Sequence, residues 1–267
     1  MSLEDFLSEE QKILDKSRAS FPEEIQAFNM IKMVAQEAAK SIEEAKASDV
    51  NQPFMFLTLF HIIHSDLRLA FILTLRGHYL DSFAILRPAI EMTSHLYNMS
   101  KAPQENAIIW LRQKEKGWKN KYGKIYEKNL FPKDNEAMKK LERIYYACCD
   151  FGSHATAFKL AYRGAKTKVG NKATYHFYDL NADDIRSRKQ LLFILHAGRH
   201  IVQIAKEAFS KTLDAKGFEP IKAVCKLTNQ QIEKLIEKHK TLRLFDLQPP
   251  KFKSKAATQF ATSTLIT

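Results

Sequence analysis

One predicted helix, within the stretch 76–100, carries a line of polar side chains among apolar ones. With about 100° between successive residues, the polar positions fall in a single sector of the helix surface. A helix that is apolar around most of its circumference is normally buried, so we expect this line to lie in the interior or to line a cavity. The line consists of Arg87, Glu91, Ser94, His95 and Asn98, and all of these except Ser94 are candidate ligand-binding residues.

Arg87 and Glu91 are four residues apart, the separation at which side chains of a helix meet. In one interpretation, the Arg87 guanidinium binds a phosphate or a carboxylate and Glu91 holds it in place. In the other, the two form a buried ion pair that fixes helix packing, since either charge alone would be costly to bury. Pro88 donates no backbone hydrogen bond, which leaves the carbonyl of Ala84 as a further acceptor near Arg87. The sequence does not choose between the two interpretations.

His154 follows a predicted turn at 150–153 and is expected in the first turn of a short helix, where it is a further candidate ligand-binding residue. The positive end of a helix dipole disfavours the imidazolium form, which suits a neutral base or ligand. A hydrogen-bonded structural role is the alternative. If His154 approaches Arg87, Glu91 and His95, the four side chains form an acid–base or phosphate site. Arg87, Glu91 and His154 are therefore the candidate catalytic residues.

The histidines give little support for a metal centre. His61 and His64 would have to combine with Glu91 and His95 from a facing helix, yet the Glu-x-x-His pairs of carboxylate-bridged metal bundles are absent from the sequence. The pair at 196 and 200 lacks the glutamate of an HExxH motif. We therefore predict no metal site and no cofactor.

Cations and aromatic rings alternate between Glu105 and Lys128, a stretch that we predict to be one helix. Positive charge combined with rings that can stack is typical of polyanion-binding surfaces. The alternative is a solvated lysine face opposite an aromatic core stripe. The candidate nucleic-acid-binding residues are Arg112, Lys116, Lys119, Lys121 and Lys124.

The composition is that of a globular helical protein. Of the 267 residues 45% are hydrophobic, and eight Gly and eight Pro are few enough to favour long uninterrupted helices. Three cysteines without a CxxC pair indicate reduced thiols and hence a cytoplasmic protein. The apolar stretch 54–75 contains two histidines, Asp66 and Arg68, which are costly in a bilayer, so we predict no membrane span.

Charge is unevenly distributed along the chain. Residues 1–100 contain 9 Lys and Arg against 14 Asp and Glu, a net charge of −5, whereas the remainder holds 33 against 16, or +17. This asymmetry favours a match between acidic and basic surfaces, within one chain or in a homodimer, or a polyanionic partner for the basic part.

The hydrophobic periodicity predicts an all-α protein, a multi-helix bundle around a central buried helical hairpin. The hairpin pairs the apolar helix 53–75 with the helix that carries the polar line. A small irregular or β-hairpin insertion is expected near 162–180. The predicted single domain, 1–245, comprises N-terminal helices (1–50), a core bundle (53–211) and a C-terminal helix (228–243), followed by a mobile or docked tail (246–267).

The motif Arg76-Gly77-x-Tyr79-x-Asp81-Ser82, followed by Leu86-Arg87-Pro88-x-x-Glu91, resembles an all-helical bacterial family of domains of unknown function. Tyr145, Tyr146 and His154 are similar to that family's later Tyr-rich helix and histidine. The resemblance covers about residues 55–210. It implies a helical fold and draws attention to the arginine and glutamate of the second motif and to His154, but it implies no activity.

Helical domains of bacterial toxin and phage-defence systems are loosely similar in their layout. Their ribonuclease signature is an arginine followed four to six residues later by a histidine. Here Arg87 and His95, like Arg188 and His196, are separated by seven intervening residues. The spacing therefore does not predict this ribonuclease chemistry.

Three functions are compatible with these residues. The first is a binding or regulatory module for a phosphate-bearing ligand, either a nucleotide or RNA, with Arg87, Glu91 and His154 in its pocket and the basic stretch outside. The second is a phosphodiester hydrolase in which His154 is the base and Arg87 stabilises developing charge. The third is a structural or interaction protein that forms a homodimer or larger homo-oligomer.

Overall fold

A computed structural model describes residues 2–44, 51–153, 164–169, 172–177 and 184–242, and these are almost entirely helical. The predicted all-α fold is therefore confirmed. π-Helical turns follow α6 and α7 at Gly123–Glu127 and Cys149–Ser153, and a 3₁₀ turn, Lys240–Leu242, follows α9. The α-helices are α1 (Leu3–Ser20), α2 (Pro22–Glu44), α3 (Asn51–Leu75), α4 (Tyr79–Lys101), α5 (Pro103–Leu111), α6 (Lys119–Tyr122), α7 (Glu136–Cys148), α8 (Asp184–Ser210) and α9 (Ala215–Lys238).

Helices α3 and α4 form the central hairpin that the sequence predicts, and their mutual contact is the most extensive between any two described elements. Gly77 turns the chain between them with a φ of 87°, a conformation that favours glycine. Helix α8 packs against both, and side chains of α2, α7 and α9 join them in one continuous core. The polar line of the sequence lies on α4, at the centre of this bundle.

Polar side chains satisfy backbone N–H groups at three helix starts. The hydroxyl of Ser2 accepts from the Asp5 amide (3.1 Å) and the Asp5 carboxylate accepts from the Ser2 amide (3.0 Å), which caps α1. The side-chain oxygen of Asn135 accepts from two amides of α7, at 2.9 and 3.1 Å. Asp214 accepts from the Gly217 amide (2.8 Å) at the start of α9.

The predicted start of the C-terminal helix at residue 228 is wrong, because α9 begins at Ala215. Thr228 is buried in the middle of this helix, where its hydroxyl lies 2.8 Å from the Val224 carbonyl and 3.2 Å from the Met30 carbonyl. A threonine that bonds back to the preceding turn looks, in sequence, like a threonine that caps a helix. This ambiguity explains the error.

The basic stretch is not one helix, and that prediction is also wrong. Helix α5 ends at Leu111, and the chain then forms turns as far as Trp118. Gly117 has a φ of 90°, which L residues rarely adopt and which glycine permits. The cations at 112–124 therefore lie on a turn, on the short helix α6 and on the π-helical turn after it.

The predicted β-hairpin insertion is confirmed. Strands β1 (Gly164–Val169) and β2 (Lys172–Phe177) pair antiparallel, with the first residue of β1 opposite the last residue of β2. Two other predictions, the short helix that begins near His154 and the tail at 246–267, lie outside the described residues.

Helix α3 is the one helix in the described part of the chain that is long and apolar enough to cross a membrane, over Phe54–Leu75. His61, Asp66 and Arg68 interrupt this apolar stretch. The helix also packs against α2, α4 and α8. A helix in the core of a globular domain passes the same test of length and composition, so α3 alone is weak evidence for a membrane span.

Candidate functional site

The polar line of α4 is divided into an open half and a closed half. Arg87 and Glu91, the open half, expose 34% and 32% of their side-chain surface. Ser94 and Asn98, the closed half, expose 0% and 1%. Pro88, beside the open half, is exposed as well. The sequence predicts that the line lies in the interior or lines a cavity. An interior position is wrong for its first half, where α7 packs beside α4 without covering it.

Tyr145 of α7 completes the open half. The Arg87 Nε donates to Glu91 Oε1 (3.2 Å), and the Tyr145 hydroxyl donates to the same carboxylate oxygen (2.7 Å). The guanidinium carbon of Arg87 lies 5.4 Å from the centre of the Tyr145 ring, within the range of a cation–π contact. The Glu91 carboxylate and the Tyr145 ring thus orient Arg87. The ion pair is only partly buried, and Arg87 is not isolated at the surface.

The surroundings of Arg87 and Tyr145 determine the charge of each side chain. Burial alone would lower the pKa of Arg87, but the Tyr145 hydroxyl and the Glu91 carboxylate outweigh it, and the pKa is raised. Burial, with Glu91, raises the pKa of Tyr145. At neutral pH Arg87 is a cation and Tyr145 is an uncharged hydroxyl. A guanidinium has five N–H donors, so the Nη nitrogens of Arg87 can bind an external anion while Nε stays on Glu91.

His95 connects the polar line to the basic stretch. Its Nδ1 accepts a hydrogen bond from Trp110 Nε1 (3.2 Å), which requires a ring that is unprotonated at Nδ1. The ring centre lies 6.1 Å from that of Tyr122 and 5.2 Å from that of Tyr126. Burial lowers the pKa of His95, and Glu91 opposes this effect without cancelling it. His95 is therefore a neutral packing residue at pH 7, with one ring nitrogen already engaged.

In the closed half, Asn98 is hydrogen-bonded to other elements, whereas the buried Ser94 hydroxyl has no hydrogen-bond partner among the described residues. The Asn98 amide nitrogen donates to the carbonyl of Asn129 (3.0 Å), and the Asn98 carbonyl accepts from the Asn106 side chain (2.8 Å). The carbonyl of Asn106 in turn accepts from the Tyr126 hydroxyl (2.8 Å). These bonds tie α4 to α5 and to the chain after α6. We therefore do not include Asn98 in the ligand site.

All five candidate nucleic-acid-binding residues are exposed. Arg112 pairs with Glu115 at 2.6 Å, whereas the four lysines at 116, 119, 121 and 124 pair with no carboxylate in the part of the chain that the structure describes. Their charge is therefore not neutralised locally. Other surface lysines do pair with a glutamate three residues away, namely Lys12, Lys139, Lys222 and Lys240.

Aromatic rings lie among these cations. Trp118 is half-buried, and its ring centre is 4.6 Å from the guanidinium carbon of Arg112 and 4.7 Å from the ammonium of Lys121. Both distances are those of cation–π contacts. The combination of rings and charge that the sequence indicates is thus present, but on a turn and two short helical pieces.

Among the described residues, no further sequence candidate for chemistry is brought to this site. His154 lies outside the described residues, so its approach to Arg87 and Glu91 stays a prediction. His200 is buried in the core, where burial lowers its pKa to about 3, and its Nε2 lies 3.3 Å from Nε2 of His196. Within the described ranges, no three His, Cys, Asp or Glu side chains lie close enough together to hold a metal ion.

The sequence patterns did not predict that Tyr145 contacts Glu91 and Arg87. The periodicity of α7 puts Tyr145 with its apolar side chains, and nothing in the sequence says which helix its hydroxyl meets. A usable signal was present, because a tyrosine at the edge of an apolar stripe normally finds a hydrogen-bond partner for its hydroxyl.

No protein-family model, curated protein or solved structure matches this chain. The resemblance to the helical bacterial family therefore stays a prediction, and the function has to be inferred from the side chains described above.

Proposed function

We propose that this protein binds a phosphate-bearing ligand, a nucleotide or RNA, at the open half of the α4 polar line and the basic stretch connected to it. The observation that carries the proposal is a partly exposed arginine on α4, together with four exposed lysines after α5 that no described carboxylate neutralises. Arginine binds phosphate oxygens through parallel N–H bonds, and lysine adds attraction at longer range.

Glu91 and Tyr145 have a positioning role in this proposal. Glu91 accepts a hydrogen bond from Nε of Arg87, and the Arg87 guanidinium lies over the face of the Tyr145 ring. A long side chain held in one orientation loses less conformational entropy when it binds a ligand. The uncharged Tyr145 hydroxyl also adds no repulsion toward a phosphate.

Binding accounts for the described side chains better than hydrolysis does. A hydrolase needs a general base that can take a proton from the attacking water beside a phosphate bound at Arg87. His95 is engaged at Nδ1 by Trp110, and burial raises the pKa of Tyr145, so that its hydroxyl keeps its proton at neutral pH. His154, the base of the hydrolase hypothesis, lies outside the described residues. We therefore do not propose a catalytic step.

The proposal is tested by fluorescence anisotropy with labelled single-stranded RNA and labelled ATP, each titrated with the protein at low and at physiological salt. We expect binding of at least one probe at low salt, with an affinity that falls as salt is added, because phosphate contacts release counterions. Neither probe binding at low salt would contradict the proposal.

A matched pair of variants separates local charge from net charge. In one variant the unpaired lysines 116, 119, 121 and 124 become Ser; in the other the ion-paired lysines 12, 139, 222 and 240 become Ser. Both lose the same formal charge. We expect the first variant to lose about ten-fold or more in affinity and the second to lose much less. Equal losses would show that only the overall positive charge attracts the probe.

Self-association is a second candidate, favoured by an apolar face of α3. Phe54, Ile62 and Leu69 follow at helical spacing and expose 60%, 42% and 44% of their surface. We propose a second copy of the chain as the partner, because the acidic first 100 residues complement the basic remainder. Sedimentation of wild type and Ile62→Asp at low and high salt tests this, and a monomer under every condition would rule it out.

We also propose that the protein functions in the cytoplasm. The three cysteines form no disulfide with one another: Cys148 and Cys225 are buried, and Cys149 is partly exposed. Thiols persist in a reducing compartment. Formation of a disulfide in protein isolated from cells under thiol-blocking conditions would contradict this location.

A further inference from the structure

Rings and cations form a series of contacts from α7 over α4 to the turn before α6. From this arrangement we infer that the ligand is a single strand of RNA several nucleotides long, and not a lone nucleotide. The inference rests on the proposed function and specifies the ligand of the same site. Proteins that bind single strands without base specificity combine a positive surface with rings on which successive bases stack.

At the α7 end, Tyr146 exposes 57% of its surface, although tyrosine usually buries its ring. Its ring packs edge-on against Tyr145, with the centres 5.6 Å apart. Arg143, one turn earlier on α7, is also exposed. A base stacked on Tyr146 would therefore have a cation within reach of its phosphate.

In the middle, Arg87 and Glu91 connect α7 to the basic stretch. Arg87 lies over the ring of Tyr145, as described above. The ring centre of Tyr122 lies 6.1 Å from that of His95, which is one turn after Glu91 on α4. Tyr122 is half-buried and keeps part of its ring accessible. The surface thus continues from one tyrosine to the next across α4.

At the far end, Lys121 directly precedes Tyr122 and lies over the half-buried ring of Trp118. The same ring contacts Arg112, which also pairs with Glu115. Arg112 and Trp118 lie on the turn between α5 and α6, which contains Gly117, and Lys121 lies on α6. A base can exchange for either cation on this ring, since both are solvent-accessible.

The length of this surface favours a strand over a single nucleotide. Arg87 and His95 alone are separated by about 12 Å along α4, at about 1.5 Å per residue. Tyr146 is linked to the Arg87 end of that interval through Tyr145, and Trp118 is linked to the His95 end through Lys121 and Tyr122. A lone nucleotide offers one base and would engage one ring, whereas a strand offers a base and a phosphate to each successive ring and cation.

The inference is tested with labelled oligouridylates of increasing length: a mononucleotide, a trimer, a hexamer and a nonamer. An RNA duplex of the nonamer's length is the control for charge. We expect the affinity to rise about ten-fold or more from mononucleotide to hexamer, and the duplex to bind more weakly than the nonamer, because its bases are already stacked. A mononucleotide or a duplex that binds as tightly as the nonamer would overturn the inference and leave the proposed function intact. Failure of every probe would overturn the proposed function itself.

The stacking of a base is tested by substitution of Tyr146. Because this side chain is exposed, its replacement leaves the core intact. We expect Tyr146→Ala to weaken binding of the nonamer about ten-fold and Tyr146→Phe, which keeps the ring, to bind as wild type does. Leu111→Ala is the matched control, because Leu111 is 64% exposed near the same surface but has no ring. An unchanged affinity in Tyr146→Ala would remove this ring from the site.

Discussion

The open half of the α4 polar line contains a charged pair and the closed half contains uncharged side chains, and the two halves also differ in their partners. In the closed half, the Asn98 amide bonds to a backbone carbonyl that the fold holds in place. In the open half, Arg87 and Glu91 bond to each other and to Tyr145, at the surface, with a third of each side chain exposed. A backbone partner fixes a side chain permanently, whereas an exposed side-chain partner leaves donors for an external anion. The closed half therefore contributes to stability, and the open half is available for binding.

Asn98→Ala tests the difference between the two halves, and we expect it to cause the largest loss of stability. It removes a buried side-chain amide that donates to the carbonyl of Asn129 and opens a small cavity, so we expect a loss of about 1–3 kcal/mol in the free energy of unfolding. Urea denaturation gives this quantity. The affinity of the folded protein for RNA should stay as in wild type. A loss of affinity as large as the loss of stability would show that the two halves are not separate.

The reverse pattern is expected for Arg87→Gln. We expect the affinity for RNA to fall about ten-fold, equivalent to about 1.4 kcal/mol, because the fork that binds phosphate is removed. The free energy of unfolding should change by less than about 1 kcal/mol, since the pair with Glu91 is exposed to solvent. Arg87→Lys should lie between the two, because lysine keeps the charge without the planar donors. If Arg87→Gln unfolds easily and its folded fraction binds normally, Arg87 is a structural residue.

His95, at the boundary between the halves, gives a prediction on pH. Burial lowers its pKa below 6.5 in the folded protein, so the unfolded chain binds more protons as the solution is acidified. The stabilisation from neutral His95 is therefore present above pH 6.5 and lost as the pH falls. We expect the free energy of unfolding of His95→Gln to depend less steeply on pH than that of wild type between about pH 7 and pH 5.

Two other buried histidines contribute to the pH dependence of both proteins. Burial lowers the pKa of His64 to about 4 and that of His200 to about 3. Their contribution has the same sign as that of His95 and is unaffected by the substitution, so the difference between the two proteins isolates His95. Identical pH profiles for His95→Gln and wild type would contradict its position as a buried neutral ring.

The smallest effect is expected for Glu91→Gln. The amide keeps an acceptor for Arg87 and Tyr145 but removes a negative charge from the open half. We expect the affinity for RNA at low salt to rise about two-fold and the stability to change by less than about 1 kcal/mol. A fall in affinity would mean that orientation of Arg87 by the carboxylate outweighs its repulsion of phosphate.

The main features of the fold are predictable from the sequence because they depend on local patterns. Two apolar stretches on either side of Gly77 predict the α3–α4 hairpin, and alternating residues predict the strand pair. The start of α9 is not predictable in this way. Gly217 and Pro220 are both unfavourable inside a helix, yet α9 contains them, because the Asp214 cap and burial of residues such as Ile221 outweigh their cost.

The candidate site is predictable only in part. The contact between Arg87 and Glu91 follows from their spacing on one helix. The division of the polar line into two halves does not, because it depends on where Tyr145 of α7 and Asn129 meet α4. These residues are 54 and 31 positions away from their partners along the chain. Periodicity within one helix carries no information on such long-range contacts.

The salt dependence of RNA binding tests the central claim most directly. For single strands, the slope of log affinity against log salt is about −0.7 per phosphate contact. Replacing the four unpaired lysines 116, 119, 121 and 124 with Ser should make this slope less steep by about 1–3, depending on how many of them contact phosphate. The control variant at lysines 12, 139, 222 and 240 should keep the wild-type slope. Equal slopes in all three proteins would contradict a phosphate-binding surface at this place.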